Sequence, residues 1–296
     1  MEKKLKIDLR NVIKKLEIVT RELVTSRVIG GYKSKFKGKG LEFDSYGDYS
    51  NTEDSSDIDW RASLRAGKLL VKEYIEERNL EVFFLVDVSS SMVYGSIQKL
   101  KSEFAAEVVA SLSYAILRAG DSVGLGLFSD KVVKNIPLSK NMNQFYILSS
   151  NLINPSFYGG GYDLAAVLKF LTGYLRKNAV LMIVSDFIGL KGEWRKYVEI
   201  AASKFDLIGI MIRDPLDMEL PDEKHTVLME DPFSDNQILV VPRKIKKEYS
   251  TFVRMSEKAM KEAFLRAGAD FVRLNTSKPF TDDLVTFFKV RKRRLV

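Results

Sequence analysis

The sequence predicts a doubly wound α/β domain with a mostly parallel sheet over about residues 80–290, preceded by a separate helical and extended region over 1–79. Three observations carry this. Two near-continuous apolar runs, Glu81–Asp87 and Ala179–Asp186, each end in a carboxylate, the pattern of strands buried on both faces of a parallel sheet. From residue 80 onward, strand-like and helix-like segments alternate at the spacing of strand–helix–strand units. The composition, 46% hydrophobic and 29% charged over 296 residues, suits one large core or two smaller ones.

The elements follow in order. Leu5, Leu9, Val12, Ile13, Leu16, Val19 and Leu23 recur at three- and four-residue spacing and predict an amphipathic helix over 5–25, ended by Gly30-Gly31. Lys33, Lys35, Lys37 and Lys39 alternate, so an extended stretch puts them on one face. Residues 44–57 are polar with turn signals, and Leu69–Tyr74 reads as a short strand. Ile58-Asp59-Trp60 places Trp60 as a buried anchor, with Tyr32 and Phe36 packing the N-terminal region.

After the Glu81–Asp87 strand, a helix is expected over 97–118, then a hairpin of Val123–Phe128 and Val132–Ile136 across Ser129-Asp130-Lys131. A helix near 142–152 precedes Gly159-Gly160-Gly161, and Asp163 caps a helix running to Arg176. The second acid-ended strand is followed by a helix over 192–203 that Trp194 begins, and by a strand at 207–212. A hairpin over 226–242 turning at Ser234-Asp235-Asn236, a helix over 246–267, a strand at 270–274 and a helix over 280–289 complete the reading. The run Arg291-Lys292-Arg293-Arg294 reads as a basic tail, 291–296. No repeat of solenoid type occurs.

Composition narrows the chemistry. With no cysteine, disulfides, thiolate zinc sites and cysteine nucleophiles are excluded. The single histidine, His225, rules out a histidine-based metal cluster within one chain. Any metal must be held by oxygen ligands, which favours magnesium, calcium or manganese. The charged start Met1–Asp8 lacks a signal-peptide core, and no stretch of about eighteen apolar residues is present. The expectation is a cytoplasmic protein without a membrane span. A net charge of +8 attracts nucleic acid, acidic lipid or an acidic protein and does not choose among them.

Ligands of open α/β sheets bind beyond the C-terminal strand ends. After Asp87, Ser89 and Ser91 follow at every second position, so an extended loop aims three oxygens at one point. Asp186 adds a carboxylate from another strand end. Such a set suits magnesium. The same residue types also populate strand-to-helix loops for turn and cap reasons alone.

Asp87-Val88-Ser89-Ser90-Ser91-Met92 resembles the Asp-x-Ser-x-Ser signature of von Willebrand factor A domains, and Ser185-Asp186-Phe187 resembles their later metal-site aspartate. Upstream, Gly31–Phe43, Ile58-Asp59-Trp60, Ser63–Lys68, Val71–Tyr74 and Glu76-Glu77-Arg78 resemble the bacterial and archaeal family of unknown function number fifty-eight. The resemblance covers about residues 10–190. It implies a von Willebrand factor A domain with a metal-dependent adhesion site binding a divalent cation, Mg2+ or else Mn2+ or Ca2+, through Asp87, Ser89, Ser91 and Asp186. It also implies a MoxR-type AAA+ ATPase as partner, the pair maturing or remodelling client proteins like a chaperone. Many relatives carry two N-terminal membrane helices, and this chain resembles the short form.

Two positions depart from the family pattern. Tyr162 stands where a threonine usually follows the glycine run, and a neutral phenol, losing its proton only near pH ~10, is a poor ligand. Asp163 is its neighbour and an alternative donor, with helix capping as the simpler role. Thr52-Glu53-Asp54-Ser55-Ser56 replaces a Gly-Asp-Asp-x-Arg segment, and Gly47 also stands where an arginine is common.

Other chemistries are weaker. Gly159-Gly160-Gly161 lacks the Lys-Ser or Lys-Thr of a phosphate loop and the spacing of a dinucleotide fingerprint. A serine nucleophile needs a base, and His225 lies in the hairpin region far from Ser89 in sequence, so a non-enzymatic protein-interaction module is expected. The alternative is a basic module using Lys33, Lys35, Lys37, Lys39, Arg291, Lys292, Arg293 and Arg294 on nucleic acid or a membrane surface, with a vestigial metal site.

Overall fold

In the computed structural model of the chain, the described residues are 42–49, 58–75, 80–234 and 236–295. The helix expected over 5–25, the stretch carrying Tyr32, Lys33, Lys35, Phe36, Lys37 and Lys39, and the Thr52–Ser56 segment lie outside them. The chain divides into two compact units, one of Lys35–Asn79 and one that holds Leu80–Val296.

The smaller unit contains β1 (Glu42–Asp48), α1 (Trp60–Ala66) and β2 (Leu70–Ile75). β1 and β2 pair antiparallel, Phe43 opposite Tyr74 and Asp48 opposite Leu70. A strand therefore occupies the start of the segment read as turns. Asp59 caps α1, accepting the N–H groups of Arg61 and Ala62 at 3.0 and 3.1 Å, and Gly67 ends it at φ 69°. The expected burial of Trp60 is corrected. It is 62% exposed, because it opens a helix whose one buried side chain is Ser63. Ser63 accepts the Leu70 N–H at 2.8 Å and ties helix to strand.

The larger unit runs β3 (Glu81–Asp87), α2 (Lys101–Arg118), β4 (Ser122–Phe128), β5 (Val132–Ser139), α3 (Asn143–Leu152), α4 (Leu164–Tyr174), β6 (Val180–Ser185), α5 (Trp194–Lys204), β7 (Asp206–Arg213), α6 (Pro215–Met218), β8 (Val227–Glu230), β9 (Gln237–Val240), α7 (Pro242–Arg266), β10 (Asp270–Asn275) and α8 (Phe280–Leu295). Its six-stranded sheet has the order β10-β7-β6-β3-β4-β5. All pairings are parallel except β4 with β5, the antiparallel edge. The expected mostly parallel α/β architecture is present.

Alternation along β3 divides the core. Val82, Phe84 and Val86 face α2, α3 and α8 through Phe104, Phe145, Leu148, Leu284 and Phe288. Phe83 and Leu85 face α4, α5 and α7 through Leu168, Val198, Met260 and Phe264. Helices cover both faces, which explains why the strands read as unbroken apolar runs. Each fully buried Phe, Leu or Ile contributes roughly 1.5–3 kcal/mol. Glycines make room for the largest ring: a Cβ on Gly124 would lie 2.7 Å from Phe83 Cδ2.

The chain leaves β3 toward β4 and leaves β6 toward β7, on opposite sides of the sheet. The helices that follow, α2 and α5, pack on opposite faces. The β3–β6 boundary is thus a topological switch point, where such sheets open a crevice at their C-terminal edge.

The C-terminus differs from expectation. α8 continues to Leu295, so Arg291 is helical rather than the start of a tail. It is 3% exposed, bonded to Asp206 and placed 3.1 Å from Asp270. Two buried carboxylates at strand starts require a counter-ion, and the last turns of α8 deliver it.

Candidate functional site

The switch point brings the predicted residues together. Asp87 ends β3, and Ser185 with Asp186 ends the adjacent β6, Val86 pairing with Val184. Asp87, Ser89, Ser91, Ser185 and Asp186 are each at most 2% exposed. Asp87 Oδ1 accepts the Ser89 N–H at 2.8 Å, and Oδ2 accepts the Ser185 hydroxyl at 2.6 Å. Ser89 Oγ and Ser91 Oγ lie 3.2 Å apart. Ser91 donates to Asp186 Oδ1 at 3.1 Å, an oxygen that also accepts the Ile188 N–H at 2.9 Å.

Neighbouring loops hold this arrangement. The Gly159 N–H donates to the Val88 carbonyl at 2.7 Å, and the Ser90 N–H donates to the Gly160 carbonyl at 3.2 Å. Gly159 and Gly160 have φ of 123° and 85°, conformations that L side chains rarely adopt. Just past Asp186, Phe187 also sits at positive φ, 55°. Its ring packs on Phe264 and Phe271, with centroids 5.6 and 5.9 Å away, which holds a turn that costs on the order of 1 kcal/mol.

Charge is concentrated here. The Asp87 carboxyl is pushed up to about 7, first by burial and then by Asp186, against the lowering effect of its Ser185 and Ser89 hydrogen bonds. The Lys101 ammonium, 1% exposed, donates to Asp186 Oδ2 at 2.7 Å and to Asp217 Oδ2 at 3.0 Å. Burial works to lower the Lys101 pKa, but the two carboxylates outweigh it and the value is raised.

Sequence reasoning missed Lys101, Asp217 and Ser185 as parts of this site. Lys101 stands in the run Lys99-Leu100-Lys101, which resembles any solvated helix start. Asp217 is 116 residues from its partner. Ser185 alone carried a signal, since it ends the second apolar strand beside Asp186.

Tyr162 and Asp163 are separated by the fold. Tyr162 is buried, its hydroxyl 3.3 Å from Ser185 Oγ, and its ring lies against Phe128 and Phe233 at 5.7 and 6.4 Å. Burial first, then Asp87, raises its pKa well above the ordinary phenol value, so it remains a neutral packing residue. Asp163 is exposed and caps α4, accepting the Ala166 N–H at 2.9 Å.

The basic residues do not form one patch among the described residues. Arg291 is interior, whereas Arg293 and Arg294 are exposed. Arg294 lies 3.4 Å from Asp270. Lys292 belongs to the same helix. His225 is exposed and pairs with Glu223 at 2.7 Å.

The donor set suits a hard cation in its oxygen spacing. Octahedral magnesium, with ligands at 2.0–2.1 Å, places adjacent donor atoms about 3 Å apart. The spacings of Ser89 Oγ, Ser91 Oγ and Asp186 Oδ1 are 3.2 and 3.1 Å. Among the described residues no three acidic or histidine side chains gather to hold an ion, so the serine hydroxyls are indispensable to any such site.

Comparison with known proteins gives the following. An uncharacterized protein of Mycobacterium bovis is 22% identical over 283 residues, 95% of this chain and 89% of the relative. An aerotolerance-related membrane protein from Bacteroides fragilis is 15% identical with a TM-score of 0.49, covering 71% of this chain and 99% of that one. A von Willebrand factor type A structure from Catenulispora acidiphila is 11% identical with a TM-score of 0.35, covering 76% of this chain and 44% of that one. The expectation of a cytoplasmic protein is corrected, because matched structures such as the Bacteroides fragilis one are of membrane proteins. Among the described residues no helix is long and apolar enough to cross a membrane. A family described as "Protein of unknown function DUF58" matches residues 45–259. The match spans more than half of the chain, and this chain belongs to that family.

Proposed function

We propose that the chain is a non-enzymatic protein-interaction module. It docks a partner at the C-terminal edge of its sheet through a divalent cation held by Asp87, Ser89, Ser91 and Asp186. The observation that carries this reading is the meeting of the Ser89, Ser91 and Asp186 oxygens at the switch point, 3.2 and 3.1 Å apart, with the buried Asp87 bonded to the Ser89 N–H. Magnesium, manganese or calcium supplies positive charge and an exchangeable coordination position that an acidic partner side chain fills.

The chain's own residues do the rest. The glycine run fixes the serine loop from one side. Ser185 and the Ser89 N–H orient Asp87. The family resemblance supplies the partner to test, a MoxR-type AAA+ ATPase acting on client proteins.

The test is affinity capture from the native cell with and without chelator. Recovery of an AAA+ ATPase in Mg2+, and its loss in chelator and with Asp87→Asn, is the expected result. Equal recovery in chelator rejects the cation's part. Failure to recover an ATPase in Mg2+ rejects the partner.

A further inference from the structure

Lys101 opens α2, and its side chain turns inward rather than to solvent. Burying an ammonium costs several kcal/mol unless it is paired and hydrogen-bonded. Here it is. The nitrogen reaches Asp186 Oδ2 at 2.7 Å and both oxygens of Asp217, at 3.3 and 3.0 Å. The Tyr94 ring lies beneath it, 5.8 Å to the centroid. Asp186 divides its carboxyl between two sides, one oxygen toward Ser91 and the Ile188 N–H and the other toward Lys101. Asp217 belongs to α6, a single turn also held by Tyr249, whose hydroxyl donates to the Leu216 carbonyl at 3.1 Å. One buried ammonium thus links the start of α2, the end of β6 and α6.

We propose that Lys101 is the resident counter-cation of this edge, holding Asp186 and α6 in place without a divalent ion and weakening the site's affinity for one. A divalent ion drawn to the serine side shares Asp186 with a positive charge already in contact with it. Like charges meeting on one buried carboxyl repel strongly where water is excluded. The edge is therefore assembled before any cation arrives, and the cation adds a docking contact rather than a fold. This deepens the reading above and rests on it for the cation's position, but it requires no partner protein.

The experiment compares wild type, Lys101→Met and Lys101→Arg by thermal melts in chelator and in Mg2+, with Mn2+ titration by calorimetry. Wild type and Lys101→Arg are expected to melt alike in chelator and in Mg2+. Lys101→Met is expected to melt lower in chelator, to recover on adding Mg2+, and to bind Mn2+ about tenfold tighter than wild type. A wild type that loses as much stability in chelator as Lys101→Met overturns the proposal, as does a Lys101→Met that melts like wild type in chelator.

If Lys101→Met does not fold, amide exchange on wild type decides. Equal protection of residues 186–190 and 214–218 with and without chelator supports the proposal, and loss of that protection in chelator overturns it. Failed capture of an ATPase leaves these results standing. A chelator-sensitive wild type would overturn the counter-cation role while leaving the docking reading intact.

Discussion

The Asp87 carboxyl and the Ser185 hydroxyl meet at 2.6 Å across two neighbouring parallel strands. Ser185 also accepts the Phe187 N–H at 2.8 Å, the amide of the positive-φ residue. Ser185→Ala leaves both groups buried without this partner. We expect a loss of about 2–3 kcal/mol, measured by urea unfolding, with a further rise in the Asp87 pKa.

Asp87 sets a pH dependence in chelator. Its folded value, about 7, lies above the ordinary 3.8, so the folded state binds this proton more tightly than the unfolded chain. The stabilisation is complete below about 4 and is lost as pH rises through about 7. The loss is on the order of 4 kcal/mol across that window. Unfolding free energies of wild type and Asp87→Asn should converge toward low pH relative to their difference at pH 8, where Asp87→Asn gains. A pH-independent difference would show that Asp87 titrates normally.

Tyr162→Thr separates packing from ligation. The ring contacts with Phe128 and Phe233 are lost, and stability is expected to fall by roughly 3 kcal/mol. The smaller hydroxyl next to Ser185 should raise Mn2+ affinity in calorimetry. Unchanged affinity would show that Tyr162 does not limit the site.

Arg291→Met is expected to cost about 3–5 kcal/mol, because it strands the buried Asp206 and weakens the hold on Asp270. Arg293→Met, on the exposed side of the same helix, should stay within about 0.5 kcal/mol of wild type. Chemical denaturation of the two variants checks the contrast. Equal stabilities would place Arg291 at the surface.

Gly124→Ala tests the close approach inside the sheet. The added carbon meets Phe83 at 2.7 Å and the Ile136 carbonyl at 3.1 Å. Phe83 is fully buried, so neither neighbour gives way freely, and a loss of about 1–3 kcal/mol is expected in thermal or urea unfolding.

These contrasts show what was legible beforehand. β3 and β6 announced themselves because burial on both faces demands an unbroken apolar run, and their terminal acids marked the site. Asp163 was readable as a cap because capping is local. Lys101 and Arg291 were not, since each is defined by a carboxylate 85 residues away. A buried cation and a solvated one look alike in a row of letters. Trp60 misled for the opposite reason: a large ring suggests burial, but α1 carries it on its exposed side.

The two hydrogen bonds between the glycine run and the serine loop couple regions that are distant in sequence. Val88 and Ser90 engage Gly159 and Gly160 backbone to backbone, so neither loop adjusts alone. A substitution that reshapes the glycine side will change how the serine side tolerates its own substitutions. The two loops are expected to show strong epistasis and to diverge as one unit, with a partner's grip on either felt by both.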